Sequence, residues 1–334
     1  MSGLGLIFLR RGNLAHPTAG SDYIKFKDEA VFNVLMAKGV SSDGIGITRD
    51  DAARVTTLST WFTGNTEISS FEELKYFINI QSLNADTFNG CSSLTKVSIP
   101  HGLTASNNAD HGVFRKCTSL TDVIFEDDSI TTIPAYAFQS CSALKNITLP
   151  SSINRIEQSA FQSCSALTTI SNWHDLASQI TYIGGYAFRS VPLDIGDKLV
   201  LPMLQTLGGF NLNASSIKYV LDLGSITTLN RSDGGLFSDN KTELIILPKT
   251  MSNIVAYSLY KQNALTKFIV KATTPPTLGL PNAKLSNCTI YVPDSSVDAY
   301  KEATNWSSRA DKIKGISEFA TDNPLLYEEV KDYL

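Results

Sequence analysis

The chain has little of what nucleic-acid-binding and membrane proteins need. Only 18% of its 334 residues are charged, and the formal net charge is −4. A negative chain does not attract phosphate backbones or anionic lipid, so neither nucleic acid nor a membrane is expected as a partner. No apolar run approaches the roughly 20 residues that cross a bilayer. The apolar run near the N-terminus precedes its two arginines instead of following a basic stretch, so no export signal is predicted.

Signatures of catalysis and of metal binding are missing as well. The sequence has no nucleophile elbow, no zinc-protease motif and no P-loop. Its four histidines stand in loop-like stretches without a second ligand at helical or turn spacing: His16, His101, His111 and His174. The acidic residues 126–128 have no matching second acid for glycoside hydrolysis. We therefore predict no catalytic residue, no metal and no cofactor.

The five cysteines indicate a repeat and not a metal knuckle. Cys91, Cys117, Cys141 and Cys164 are 26, 24 and 23 residues apart, which is far too wide for a CxxC pair. Such spacing predicts small buried residues at equivalent positions of successive repeats. Cys288 stands in a strand-like segment and is expected in the core.

A recurring frame confirms the periodicity that the cysteines suggest. Segments 80–100, 113–125, 133–150 and 156–170 share a Phe, a Cys three residues later, a Leu three residues after that, and then apolar residues in alternation. Proline closes two of these four segments. The frame degenerates in later segments: 183–202, 207–223, 229–248 and 254–271.

This pattern predicts stacked turns with short parallel strands. Alternating apolar residues such as Val97 and Ile99 are typical of a strand with one buried side. A single unit cannot cover its apolar side, so each turn must cover its neighbour. Phe and Cys should therefore form columns inside the coil. The predicted fold class is an α/β repeat solenoid of about eight turns over residues 80–271.

The frame AF-x-x-C-x-x-L-x-x-I-x-L-P resembles the BspA-like leucine-rich repeats of gut and oral Bacteroidetes. The stretch 271–278 and the segment IYVPDSSVDAYK with Trp306 resemble the C-terminal cap of those arrays. The resemblance covers roughly residues 28–319. It implies a leucine-rich-repeat solenoid with an adhesion or binding role, usually in exported surface proteins.

The two ends of the chain are predicted to differ from the repeats. Residues 22–79 form a helical N-terminal cap, with Thr48 and Asp51 as a capping pair and Phe71 over the first repeat. The loop after Asp43 lacks the oxygen ligands of a calcium loop. Residues 272–319 form the C-terminal cap. Residues 320–334 form an amphipathic tail helix, which either folds back on the cap or docks on a partner.

Residues 1–21 have no place in a solenoid. They form either a flexible arm or an assembly peptide that inserts into a partner. Their opening, MSGLGLIFLRRG, resembles the openings of repeat proteins of Bacteroidales phages. The predicted assembly residues are Leu4, Leu6, Ile7, Phe8, Leu9, Arg10 and Arg11.

The predicted binding face consists of strand side chains that alternate with the buried ones. It runs from polar to apolar along the chain, and the row of Leu and Ile predicts a contact patch, unless the degenerate repeats are out of register. Its residues are Lys96, Ser98, Asp122, Ile124, Asn146, Thr148, Thr169, Ser171, Tyr219, Leu244, Ile246, Lys267 and Ile269.

These features predict a non-enzymatic binding protein. The first hypothesis is a structural or attachment component of a bacteriophage virion, which binds other virion proteins or a host-surface protein or glycan. The alternative is an exported bacterial cell-surface adhesin. A polysaccharide depolymerase is a third and weaker hypothesis, because no catalytic group is found.

Overall fold

The computed structural model of the chain describes residues 22–103, 111–126, 128, 130–209, 217–230, 241–259 and 262–334. The predicted assembly residues, Leu4 to Arg11, lie outside these ranges. Helices in the described residues are short: α1 (Glu29–Ala37), α2 (Arg49–Arg54), α3 (Trp173–Ala177), α4 (Val297–Glu302), α5 (Phe319–Asp322) and α6 (Pro324–Val330). None of them is long and apolar enough to cross a membrane.

The described residues form twenty strands of two to four residues each. In chain order they are β1 (Ser70–Phe71), β2 (Ser82–Leu83), β3 (Lys96–Ile99), β4 (Gly102–Leu103), β5 (Asp122–Phe125), β6 (Thr132–Ile133), β7 (Asn146–Ile147), β8 (Arg155–Ile156), β9 (Thr169–Ile170), β10 (Tyr182–Ile183), β11 (Lys198–Val200), β12 (Thr206–Leu207), β13 (Tyr219–Asp222), β14 (Thr228–Leu229), β15 (Leu244–Leu247), β16 (Asn253–Ile254), β17 (Lys267–Val270), β18 (Thr277–Leu278), β19 (Thr289–Val292) and β20 (Ile313–Gly315).

Two parallel ladders run along the molecule. The first ladder contains β1-β3-β5, then β7-β9, then the six-stranded sheet β11-β13-β15-β17-β19-β20. The second contains β2-β4, β6-β8-β10-β12 and β14-β16-β18. Each turn thus gives one strand to each ladder, as a solenoid requires. Eight strands of the first ladder, β3 to β17, lie within residues 80–271, which confirms the predicted number of turns.

A column of parallel phenylalanine rings fills the interior. Successive centroids are 5.4 to 5.6 Å apart, and each ring is fully buried: Phe62, Phe88, Phe114, Phe138, Phe161 and Phe188. The spacing follows the stacking of the turns, because neighbouring parallel strands lie about 4.8 Å apart. The column that the sequence predicted is therefore confirmed, and it also contains Phe62, which lies before the first predicted repeat.

That extra ring places the first turn earlier than predicted. Phe62 stacks on Phe88, and its carbonyl accepts a hydrogen bond from the Cys91 thiol at 2.9 Å, as in the later turns. Repeat contacts thus begin inside residues 22–79, which the sequence assigned to the cap. The frame is hidden there because Asn65 replaces the cysteine and Ile68 replaces the leucine.

Each regular turn bends at a residue in the left-handed region, two positions after the phenylalanine. Gly90 has φ 79°, Lys116 has φ 62° and Ser140 has φ 63°. This bend aims the backbone N–H at the next turn. Gly90 N donates to Arg115 O, and Lys116 N to Gln139 O, each at 2.8 Å. The inter-turn hydrogen bonds offset the strain of about 1–2 kcal/mol that a non-glycine residue has in this conformation.

The cysteines form the second predicted column, and each thiol donates to a phenylalanine carbonyl of the preceding turn. The Sγ–O distances are 2.9 to 3.1 Å for Cys91, Cys117, Cys141 and Cys164. Burial raises the pKa of Cys91 and of Cys164 to about 12. The thiols are therefore protonated donors at neutral pH, and the residue is small enough for the space between turns.

We expect these thiols to make the fold sensitive to alkali. The folded-state pKa is near 12, against 9.0 for an ordinary thiol. The protonated thiols therefore contribute fully to the free energy of unfolding below pH 9, and this contribution is lost as the pH rises from 9 towards 12. Urea unfolding at pH 8 and pH 10.5 should show a clear loss of stability at the higher pH. The double variant Cys91→Ser with Cys164→Ser should lose less between the two pH values, since serine does not ionise. An equal loss in both proteins would contradict the assignment.

The N-terminal cap covers the first turn with α1 and α2. Thr48 and Asp51 form the predicted capping box at the start of α2. Asp28 caps α1, and its second carboxylate oxygen accepts from the backbone N–H of Ser70 at 3.0 Å, which joins the cap to β1. Asp43 accepts from Tyr23, from Ser41 Oγ at 2.9 Å and from two backbone N–H groups. These hydrogen bonds hold the loop 41–46 against Tyr23.

The C-terminal cap closes the other end of the solenoid. Tyr300 of α4 and Trp306 are fully buried and meet edge to face at 5.1 Å. Their polar atoms bond to the last turn: Tyr300 Oη donates to Ala272 O and Trp306 Nε1 to Pro276 O, each at 2.8 Å. Strands β19 and β20 extend the first ladder through this cap.

Candidate binding face and its adjoining cleft

The first half of the first ladder carries an open, polar surface. Registered neighbours across the strands include Asn146 with Thr169, both of which are exposed. We call the exposed residues of this half the open face, which consists of Asp122, Ile124, Asn146, Thr148, Thr169 and Ser171. Ile124 is its one large apolar residue, with 38% of its surface exposed.

Two residues of this half that were predicted to lie on the binding face do not belong to the open face. Ser98 is only 1% exposed, because the turn Glu72–Tyr76 packs against β3. Lys96 is half-buried, since its ammonium group bonds to Glu72 of that turn at 3.1 Å. Ser98 was therefore wrongly predicted as accessible, and the open face begins at β5.

The second half of the ladder is covered, so the predicted apolar contact patch is wrong. Tyr219, Leu244, Ile246 and Ile269 point away from the solenoid interior, but no more than 4% of any of them is exposed. Together with Leu221 and Tyr291 they form a second apolar core with Phe319 and Val330. Of the residues predicted for this second half, only Lys267 is half-buried, at the edge of the ladder.

The cover is the end of the chain itself. We call residues 316–334 the C-terminal segment; it contains α5 and α6. The Phe319 ring meets the Tyr291 ring edge to face at 5.0 Å, and Tyr291 Oη donates to Asp322 at 2.9 Å. Burial, and then the Asp322 carboxylate, raises the pKa of Tyr291 to about 12. Lys271 Nζ donates to the Tyr333 carbonyl at 2.9 Å. The tail was predicted either to fold back on the cap or to dock on a partner. It folds back, and it covers the strand face of the first ladder.

A cleft of about 580 Å³ lies where the open face meets the C-terminal segment. One wall is α3, and another contains the loop from Asp194 to Lys198. Tyr333 of the C-terminal segment also lines it. The remaining lining is Ile170, Ser171, Trp173, His174, Ala177, Ser178, Val200 and Pro202.

The sequence pattern does not predict this cleft, because it does not predict α3. The sequence contains one signal of α3, the distance between successive strands. Thirteen positions separate the last residue of β9 from the last residue of β10, whereas nine positions separate the last residues of β7 and β8. The extra residues include Trp173, whose ring meets Phe188 edge to face at 6.0 Å. This packing places α3 beside the first ladder.

Two of the described histidines lie beside polar partners, and the third lies in the cleft. His101 Nε2 lies 2.8 Å from the Ile78 carbonyl, and His111 Nδ1 lies 2.6 Å from Asp86. His174 is exposed in the cleft. Within the ranges that the structure describes, no three His, Cys, Asp or Glu side chains are placed to hold a metal ion. His16 lies outside those ranges.

The architecture is that of a leucine-rich-repeat protein. Residues 62–194 match the BspA type leucine-rich repeat region in six copies, and the match begins at the first ring of the phenylalanine column. These repeats are therefore of the BspA type, as the resemblance of the frame indicated. No curated protein matches the chain.

Several solved structures are similar at low identity. A leucine-rich repeat protein from Bacteroides ovatus is 15% identical, with a TM-score of 0.31, over 70% of this chain and 68% of that one. A leucine-rich cell surface protein from Faecalibacterium prausnitzii is 15% identical, with a TM-score of 0.28, over 77% and 80%. An internalin from Listeria monocytogenes is 12% identical, with a TM-score of 0.24, over 87% and 95%.

Proposed function

We propose that the chain is a non-enzymatic binding protein that contacts a surface partner through the open face. The supporting observation is the contrast between the halves of one ladder. The C-terminal segment covers the apolar half, from Tyr219 to Tyr291, whereas hydroxyl, amide and carboxylate side chains of the other half are exposed. A short-stranded solenoid presents such a row on a rigid scaffold, because each turn is fixed by its neighbours.

The setting that we propose first is a bacterial cell surface, with the chain as an adhesin. BspA-type repeats over residues 62–194 support this setting. The second candidate is a bacteriophage virion, where the chain would bind another virion protein or a host glycan. It is supported by the opening MSGLGLIFLRRG, which resembles those of repeat proteins of Bacteroidales phages.

Binding of the fluorescently labelled protein to two probes tests the open face: mucin-coated beads and intact Bacteroides cells. Thr148→Arg combined with Thr169→Arg places two long cations on adjacent turns of the open face. We expect at least a tenfold loss of binding to the probe that the native protein recognises. The matched control is Thr206→Arg with Thr277→Arg, two exposed threonines of the second ladder, and it should bind like the native protein.

The outcome separates the two settings as well. Binding to mucin supports the adhesin, and binding to bacterial cells supports phage attachment. Open-face and second-ladder variants that bind equally well would reject the open face as the contact surface. Failure of the native protein to bind either probe would reject the proposed function.

A further inference from the structure

We propose that the cleft between α3 and Tyr333 is a binding site for a neutral saccharide. This inference rests on the proposed function, because the cleft continues the open face at Thr169 and Ser171. It identifies a site that the strand residues alone do not contain, and it names the chemical class of the ligand.

The floor of the cleft is apolar and aromatic. Ile170, Ala177 and Val200 line it together with Trp173, of which only 8% is exposed. Half-buried Tyr333 stands on the side of the C-terminal segment. Pyranose rings present C–H groups on their faces, and such groups are attracted to aromatic side chains. A concave site with an apolar floor and a few polar groups is the usual form of a small-ligand site.

The rim of the cleft is rich in hydrogen-bonding groups and has no excess of positive charge. The exposed rim side chains include two carboxylates, Asp194 and Asp197, and one ammonium group, Lys198. Carboxylates accept several hydrogen bonds each and therefore suit the hydroxyl groups of a sugar. The same carboxylates repel an anionic ligand, which favours a neutral saccharide over an acidic one.

The surface around the cleft favours a sugar over a protein partner. Protein interfaces depend on large apolar or aromatic anchors near their centre. On the open face Ile124 is the one such residue, two turns away from the cleft residue Ile170. Asn146, Thr148 and Thr169 instead continue the cleft as a row of amide and hydroxyl groups, which pair readily with further sugar units.

A printed array of neutral and acidic glycans, followed by calorimetry with the best soluble oligosaccharide, tests the proposal. We expect neutral glycans to bind. Asp197→Ala and His174→Ala should each raise the Kd at least tenfold, since both remove exposed rim groups. The Asp197 backbone carbonyl still accepts from Lys218 N and Tyr219 N, so this variant should fold. Asp175→Ala, on α3 but outside the cleft lining, is the matched control and should bind like the native protein.

Three results would overturn the proposal: no glycan binding, binding of acidic glycans only, or neutral glycan binding that neither rim variant weakens. Each can be told apart from a failure of the proposed function. If the Thr148→Arg and Thr169→Arg variant still loses binding to mucin or cells while no array glycan binds, the open face stands and the saccharide site falls.

Discussion

Replacing Phe138 with alanine is expected to lower the free energy of unfolding by about 3–5 kcal/mol. Phe138 lies in the middle of the column, with parallel neighbours at 5.4 Å on both sides, Phe114 and Phe161, and it is fully buried. Its removal leaves a cavity that both adjoining turns line. The turns are held by inter-turn hydrogen bonds, so they cannot close the cavity fully. Urea unfolding followed by circular dichroism measures the loss.

Phe125→Ala is the matched control for this prediction. Phe125 ends β5 on the first ladder, is only partly buried and does not belong to the column. The same substitution there should have a clearly smaller effect, because part of its surface already faces water. Equal losses at the two positions would show that the column has no special role.

Because repeats interact mainly with their neighbours, Phe138→Ala is also expected to split the unfolding transition between the two halves of the array.

The internal columns could be predicted because the residues that form them, Phe and Cys, recur along the sequence. Phe and Cys return together at a near-constant spacing, and a residue that recurs in register must face the same environment in every turn. The first turn escaped prediction for the same reason: around Phe62 the other positions of the frame are substituted. Periodicity therefore identifies a turn only where several residues of the repeat frame are retained in that turn.

The binding face shows where sequence periodicity stops being informative. Alternation correctly indicates that Leu244 and Ile269 point away from the interior, on the side opposite Ile245 and Phe268. Whether such a side chain meets water is a tertiary property. The cover, around Phe319 and Val330, lies some fifty or more residues further along the chain, and no local pattern links the two. A row of outward apolar residues therefore predicts that something covers them, but not what does so.

Removing the C-terminal segment is expected to convert the covered half into a self-associating surface. A chain that ends at Gly315 would expose six apolar side chains that are now at most 4% exposed: Tyr219, Leu221, Leu244, Ile246, Ile269 and Tyr291. Contiguous apolar surface of this kind drives association in water. Sedimentation velocity should show oligomers or aggregates of the chain that ends at Gly315, whereas the chain with residues 316–334 sediments as a smaller species.

Point variants separate this effect from a failure to fold. Val330→Asp places a carboxylate in the fully buried core under α6, and Leu325→Ser changes a residue that is 87% exposed on the same helix. Hydrogen exchange of the amides of β15 and β17 should be unchanged in both variants, because these amides belong to the ladder. Val330→Asp should associate like the truncated chain, and Leu325→Ser should not.

The size of the Val330→Asp effect has a physical ceiling. The segment can detach as a unit, so the variant cannot cost more than the free energy that holds residues 316–334 on the ladder. If that free energy is small, the native protein itself should expose the apolar half for part of the time and should bind the fluorescent probe ANS weakly. If it is large, only the variants should bind ANS. A truncated chain that neither associates nor binds ANS would show that the second half needs no cover, and that its apolar residues pack among themselves.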